Sequence, residues 1–254
     1  MFILFLVSGC DFTTGINRDV LKAQDYIEEQ KYQVAADLYE RILKQNPQHT
    51  LKMKIHYQLA NLYYLFLYKP EKAIFHYTYI VEKDENLRDK VSALEKLGEI
   101  YFSLTKDYSK ALKTYQMLLK FNPPLQNIDF YEFREAQSYY EKNELEQAEK
   151  LFLKFVQNTN HSHHVESFLS LGLVHFYKQN WDKAVEYFLE YIKREKRKDL
   201  IIRAKFLIAN SYESADKLKE AYNIYYSLLS DHPNPDLIKG RLKSLYSRRA
   251  SRKR

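Results

Sequence analysis

Apolar positions along this chain return every three or four residues, in runs of roughly a dozen separated by short polar breaks, and that period predicts helices. The stretch Leu171-Gly172-Leu173-Val174-His175-Phe176, a break at Lys178-Gln179-Asn180, then Trp181-Asp182-Lys183-Ala184-Val185-Glu186-Tyr187-Phe188 shows the unit. It reads as a helix, a tight turn and a second helix. Gly172 and Ala184 mark where the two must cross closely, and Phe188 is the knob filling the next gap.

The unit recurs. Ala-x-x-x-aromatic appears at Ala35/Tyr39, Ala73/Tyr77, Ala111/Tyr115, Ala148/Phe152, Ala184/Phe188 and Ala221/Tyr225, with alanine spacings of 38, 38, 37, 36 and 37. Twelve or thirteen residues upstream stands a small residue: Ala23, Ala60, Gly98, Ala136, Gly172 or Ala209. An aromatic follows three later at Tyr26, Tyr63, Tyr101, Tyr139 and Tyr212, with His175 in the remaining copy. Pro47, Pro123 and Pro233 each lie twelve after an alanine, where a proline ends a helix.

These positions resemble the tetratricopeptide repeat, whose pattern includes Leu-Gly-x-x-Tyr, then Ala-x-x-x-Phe, then Pro. Leu97-Gly98-Glu99-Ile100-Tyr101 matches the first element letter for letter. The resemblance covers about residues 16–236 and implies an all-α solenoid of about six helix-turn-helix repeats. They run near 16–50, 51–88, 89–126, 127–164, 165–198 and 199–236. A capping helix and basic tail follow over 237–254, with Leu242, Leu245 and Tyr246 on its apolar face. The period exceeds the family's usual ~34, which predicts longer helices or turns. Extra residues are expected around Leu67-Tyr68-Lys69-Pro70 and Thr105-Lys106-Asp107, and a bend at Pro123-Pro124. The family's tryptophan near the repeat start is missing; Trp181, the only one, falls in an expected turn.

Only five glycines and six prolines in 254 residues leave little room for sheet turns, which agrees with stacked helices. The net charge of +7 is concentrated at one end: from Asn234 onward eight Lys/Arg face Asp236 alone, so residues 1–233 sum to zero. A nucleic-acid-binding surface along the repeats is therefore not expected. Attraction of the tail to anionic lipid or an acidic partner is the functional alternative to a plain cap.

The head, Met1-Phe2-Ile3-Leu4-Phe5-Leu6-Val7-Ser8-Gly9-Cys10, is too short to span a bilayer but has the length of a signal-peptide apolar region. Val7-Ser8-Gly9-Cys10 resembles the bacterial lipobox, which implies removal of residues 1–9, a lipid on Cys10 and a short tether over 10–15. No Lys or Arg precedes the apolar run, a pattern consistent with a start codon further upstream. Asp11 resembles the inner-membrane retention signal of enteric bacteria, so the choice between inner and outer membrane stays open.

No phosphate-binding glycine loop, Gly-x-Ser-x-Gly or His-Glu-x-x-His is present, and no catalytic residue or cofactor is expected. His161-Ser162-His163-His164 is the one metal-like cluster. It reads as a polar inter-repeat turn with no carboxylate completing a close set, so no metal is assigned.

The resemblance points to the inner face of the first helices as a groove. It should present Tyr57, Asn61 and Tyr64; Glu95, Glu99 and Phe102; Phe133, Gln137 and Tyr140; Leu169, Leu173 and Phe176; and Phe206, Asn210 and Glu213. Aromatics interleaved with amides suit an extended peptide or a partner helix. Chaperone-tail binding of the carboxylate-clamp kind is not expected, because Lys54/Asn61 and Arg203/Asn210 are isolated and Glu95 and Glu99 repel a carboxylate. The expected function is a lipid-anchored, periplasm-facing protein scaffold without a small-molecule substrate. It is similar to the repeat lipoproteins of the outer-membrane β-barrel assembly machinery or of type IV pilus secretin assembly. The alternative is a cytosolic adaptor whose basic tail contacts nucleic acid or membrane.

Overall fold

Each repeat folds because its small residues let two amphipathic helices cross closely enough to bury one aromatic between them. The computed structural model describes residues 15–251, in which thirteen α-helices and no strand are present. Cys10, Asp11 and the rest of the head lie outside the described residues, as do Arg252, Lys253 and Arg254. The chain divides into two compact units, the first ending at Leu118 and the second beginning at Leu119.

The first unit holds three helix pairs: α1 (Gly15–Glu28) with α2 (Tyr32–Lys44), α3 (His49–Asn61) with α4 (Pro70–Lys83), and α5 (Leu87–Glu99) with α6 (Tyr108–Leu119). The second holds α7 (Ile128–Glu141) with α8 (Leu145–Gln157), α9 (His164–Tyr177) with α10 (Trp181–Arg194), α11 (Lys198–Ser214) with α12 (Leu218–Ser227), and the final helix α13 (Pro235–Ser251). Pro70 occupies the first turn of α4, where its missing N–H costs nothing, and Asn86 caps α5 by accepting from Arg88 N at 2.9 Å. Trp181 is not in a turn but opens α10, with its ring edge-on to Phe176 at 5.0 Å.

All six signature alanines and their aromatic partners are buried to 1% exposure or less. The turn between paired helices is equally regular. Gln30, Tyr68, Lys106, Asn143, Gln179 and Asp216 all adopt positive φ, each five residues before its alanine. The left-handed residue reverses the chain so that the following N–H reaches back to the helix end. Lys31 N, Glu144 N, Asn180 N and Lys217 N donate to the carbonyls of Tyr26, Tyr139, His175 and Tyr212, each five residues back.

Lys69 N instead reaches six back, to Tyr63 at 2.8 Å. The additional residue of repeat two is absorbed in a π-helical turn, Leu62–Phe66, that prolongs α3. Repeat three does the same at Ile100–Leu104. The 38-residue spacings are thus absorbed inside helix ends, a few residues before the expected positions, because a wider turn keeps the left-handed residue and the alanine in register.

Helix α13 covers the open side of repeat six with Ile238, Leu242 and Leu245, packed on Ala221, Tyr225 and Leu228. Tyr246, expected on that covering face, is 68% exposed. The helix continues to Ser251.

Candidate binding groove

In repeats two and six the residue directly after the first-helix small residue sits beside the buried aromatic of its own repeat. Where that aromatic is a tyrosine, its hydroxyl must find a partner as it is desolvated. Tyr77 donates to Asn61 Oδ1 at 2.6 Å, and Tyr225 donates to Asn210 Oδ1. Both amides are consequently oriented: the oxygen is engaged, and the two Nδ2 hydrogens remain for another acceptor. Asn61 and Asn210 are half-buried. Burial pushes the Tyr225 phenol up, and nearby Glu213 adds to the shift.

Tyr57, Tyr64 and Glu99 come together between repeats two and three. Tyr57 Oη lies 2.9 Å from Ser92 Oγ on α5. The Tyr64 phenol is pushed up to about 12, by burial first and then by its hydrogen bond to Glu99. Lys96 pairs with Glu99 at 3.3 Å and lies 5.9 Å from the centre of the Tyr64 ring. Glu99 is therefore not a bare repelling charge. Phe102 belongs to the second π-helical turn and stands edge-on to Tyr108 at 5.4 Å.

In the second unit Gln137 accepts from Arg134 at 3.1 Å, and Tyr140 stands edge-on to Tyr177 at 5.6 Å. Burial, then Tyr177, pushes the Tyr140 phenol up. Phe176, Leu169 and Leu173 are half-buried against the core of repeats five and six. Phe206 packs edge-on to Tyr225 at 5.7 Å. Phe133 does not face a groove. It is 7% exposed, stacked on His163 at 4.3 Å and edge-on to Phe152, so it belongs to the core of repeat four. The helical frame gave its register, but His163, thirty residues later, folds over it.

The histidine turn also differs from expectation, since two carboxylates do approach it. Single ligand atoms of Asp129, Glu132 and His161 lie within 4.8 Å of one another. Their bonds describe a clamp on the loop. Asp129 Oδ2 accepts from Ser162 N and Ser162 Oγ, both at 2.7 Å, and these bonds hold its carboxyl below the usual range. Lys154 donates to Glu132 at 3.1 Å. His163 N donates to His161 Nδ1 at 3.1 Å, while buried His161 Nε2 lies 3.6 Å from Glu132 Oε2, beyond hydrogen-bond distance.

The basic end is partly spent within the fold. Arg248 contacts Glu213 at 3.1 Å and Asp216 at 3.3 Å, and Arg241 Nη1 lies 3.7 Å from Glu213. Lys239 pairs with Asp236 at 3.1 Å. Among the described residues no helix is long and apolar enough to cross a membrane.

One feature of the first-helix face is absent from the sequence-based set. A cleft of about 260 Å³ opens between α1, α3 and α5, lined by Gln24, Lys54 and Gln58 at its rim and reaching Tyr39 at its floor. Only Tyr57 of the expected residues borders it. The sequence carries a signal for it: Gln24 stands after Ala23 where repeats two and six have asparagine.

A family model described as tetratricopeptide repeat matches residues 133–199, and a second of the same description matches 92–124 and 203–235. Together they span just over half of the chain. None of the curated proteins compared matches it. Among solved structures, the chain is similar to PilW, described as a widely conserved type IV pilus biogenesis factor, with TM-score 0.57 and 15% identity over 91% of this chain and 98% of that one. It is similar to PilF of Pseudomonas aeruginosa, with TM-score 0.53 and 12% identity over 92% and 97%. It is also similar to YrrB, described as a TPR protein with an unusual peptide-binding site, with TM-score 0.54 and 18% identity over 74% and 90%. At these identities the likeness is one of fold.

Proposed function

Because the chain belongs to the tetratricopeptide-repeat family, we propose that it is a non-enzymatic scaffold binding a partner protein along its first-helix face, anchored to a bacterial membrane by a lipid on Cys10. On this reading it faces the periplasm and assists assembly of an envelope complex, of the pilus-secretin or β-barrel assembly type. The observation that carries the binding role is an oriented amide in each unit. Asn61 and Asn210 have their oxygens fixed by buried tyrosines, and their free N–H groups are suited to the carbonyls of an extended segment. Half-buried Tyr64 and Phe102 in the first unit, and Tyr140 in the second, supply stacking area within their own units.

Support for the envelope comes from the lipobox-like head and from the likeness to PilW, a type IV pilus biogenesis factor. Support for a peptide-binding face comes from the likeness to YrrB, which has a peptide-binding site of its own. The cytosolic alternative leaned on a free basic end, and Arg241 and Arg248 are instead engaged with Glu213 and Asp216.

Crosslinking in the native cell, detergent extraction of membranes and mass spectrometry test the proposal. The expected result is a secretin or β-barrel assembly subunit, lost when Tyr64, Phe102 and Tyr140 are changed to alanine while the helical circular dichroism persists. Labelling with a fatty-acid probe should vanish in Cys10→Ala. Recovery from the soluble fraction alone, without lipid label, would overturn the envelope reading.

A further inference from the structure

Repeat one breaks the hydrogen-bonding rule that repeats two and six obey. Its matching pair is Tyr39 and Gln24, and no bond joins them. Tyr39 is 1% exposed, and its hydroxyl has no partner. Both residues line the cleft between α1, α3 and α5. A buried hydroxyl without a partner has given up its hydration for nothing in exchange, so a floor of this kind is complementary to a ligand that supplies the missing bond.

The geometry points to this cleft as an anchor pocket for one tyrosine side chain of the bound partner segment, an assignment that rests on the first-helix face being the protein-binding surface. Its walls are apolar, from Val20, Leu51, Ile55 and Ile80, and half-buried Tyr57 flanks them. Its volume of about 260 Å³ accepts one aromatic ring and its substituent. The polar chemistry of the floor is the Tyr39 hydroxyl, which both donates and accepts, and burial holds that phenol neutral by raising its pKa. A charged tip lowered onto it would be desolvated without a counterion. At the rim, Lys54 stands with Asp89, and buried Asp84 is occupied as the acceptor of Asn86 N at 2.9 Å. An acidic ligand would meet two carboxylates against one ammonium. An uncharged phenol satisfies both walls and floor, and Gln24 at the rim offers its amide to the backbone of the same segment.

The full chain, labelled with ¹³C at its methionine methyls, is titrated with p-cresol, the side chain of tyrosine, and with toluene, which lacks only the hydroxyl. Met53 lines the cleft and Met117 does not, so one reports and the other serves as control. The expected result is a saturable shift of Met53 alone, with p-cresol bound about fivefold or more tighter than toluene. Tyr39→Phe should bring that ratio to one, and Leu51→Trp should abolish the shift by filling the mouth. Equal binding of the two probes, no shift at Met53, or an unchanged ratio in Tyr39→Phe would overturn the assignment. Were Tyr39→Phe not to fold, the two-probe ratio and Leu51→Trp still decide it. Failure here with the membrane partner still captured removes the pocket and leaves the scaffold; the converse removes the scaffold reading and leaves a phenol-binding cleft.

Discussion

Gly172 and Phe188 approach so closely that a Cβ placed on Gly172 would overlap the edge of the Phe188 ring. The contact joins α9 to α10 at the crossing that every repeat uses. Ala23, Ala60, Ala136 and Ala209 are tolerated at the equivalent place, whereas Gly98 has the Tyr115 ring 2.9 Å from where its Cβ would be. A helix-interior glycine is otherwise unfavourable by about 1 kcal/mol relative to alanine, so its presence here reflects the ring.

Gly172→Ala should therefore destabilise the second unit by about 1–3 kcal/mol through overpacking. In a Phe188→Leu background the same change should be neutral or stabilising by up to about 1 kcal/mol, because only the helix-propensity gain remains. Urea denaturation of the four proteins in the cycle measures this; an equal cost in both backgrounds would show that the ring is not the cause.

The two kinds of buried tyrosine predict opposite signs for one substitution. Tyr77→Phe removes a hydrogen bond and leaves Asn61 without its donor, and should cost about 1 kcal/mol. Tyr39→Phe removes a hydroxyl that has no partner, and should be neutral or stabilising by about 1 kcal/mol. Thermal unfolding of both variants, read as the change in midpoint against the parent, tests the pair directly.

A pH dependence follows from the histidines of repeat two. His56 Nδ1 lies 2.9 Å from His76 Nδ1, both rings are buried, and Tyr79 and Tyr63 stack on them. Burial, aided by Lys52 for His56 and by the neighbouring histidine for His76, lowers each from 6.5 to about 4. In the unfolded chain each takes up its proton near pH 6.5, so the unfolded state binds more protons between about 4 and 6.5. Stability is complete above pH 6.5 and falls progressively as pH drops toward 4, by about 3 kcal/mol for one such group. His56→Phe with His76→Leu should reduce this fall, leaving the share of His163 and His175, whose pKa values burial also lowers. Denaturant midpoints at pH 7.5, 6 and 4.5 for both proteins give the comparison.

The repeat architecture was legible because it depends on positions at fixed spacing: the alanine, the aromatic four later, and the small residue upstream. Such positions are local to one helix pair. What the sequence hid depends on residues far apart. Phe133 shares a helical register with groove residues, yet His163 folds over it. Asp129 reaches Ser162 and Glu132 reaches His161 across about thirty residues of chain, with no periodic signal. Trp181, expected in a turn, opens α10 with its indole against Phe176. The tail looked freely basic because its partners, Glu213 and Asp216, stand on α11 and the turn after it.

The additional residue of repeat two was visible in the spacing, while its place was set by packing. Leu62 and Tyr63 are buried at the start of the π-helical turn, and Leu65 and Phe66 are exposed at its end. The bulge thus lets α3 keep its buried face while Tyr68 still reaches positive φ five residues before Ala73. Deleting Leu65 should convert the turn to ordinary α-helix and restore a 37-residue spacing, the one already seen between Ala111 and Ala148. The side chain removed is about half solvated and the register downstream is preserved, so the loss should stay at about 1–2 kcal/mol, the size of an ordinary substitution. Deleting Leu59, which is fully buried one turn earlier, would rotate Ala60 and Tyr63 out of the core and should prevent the first unit from folding. Circular dichroism and urea midpoints distinguish the two deletions. Equal damage from both would mean that the π-helical turn itself, and not the register it protects, is what repeat two requires.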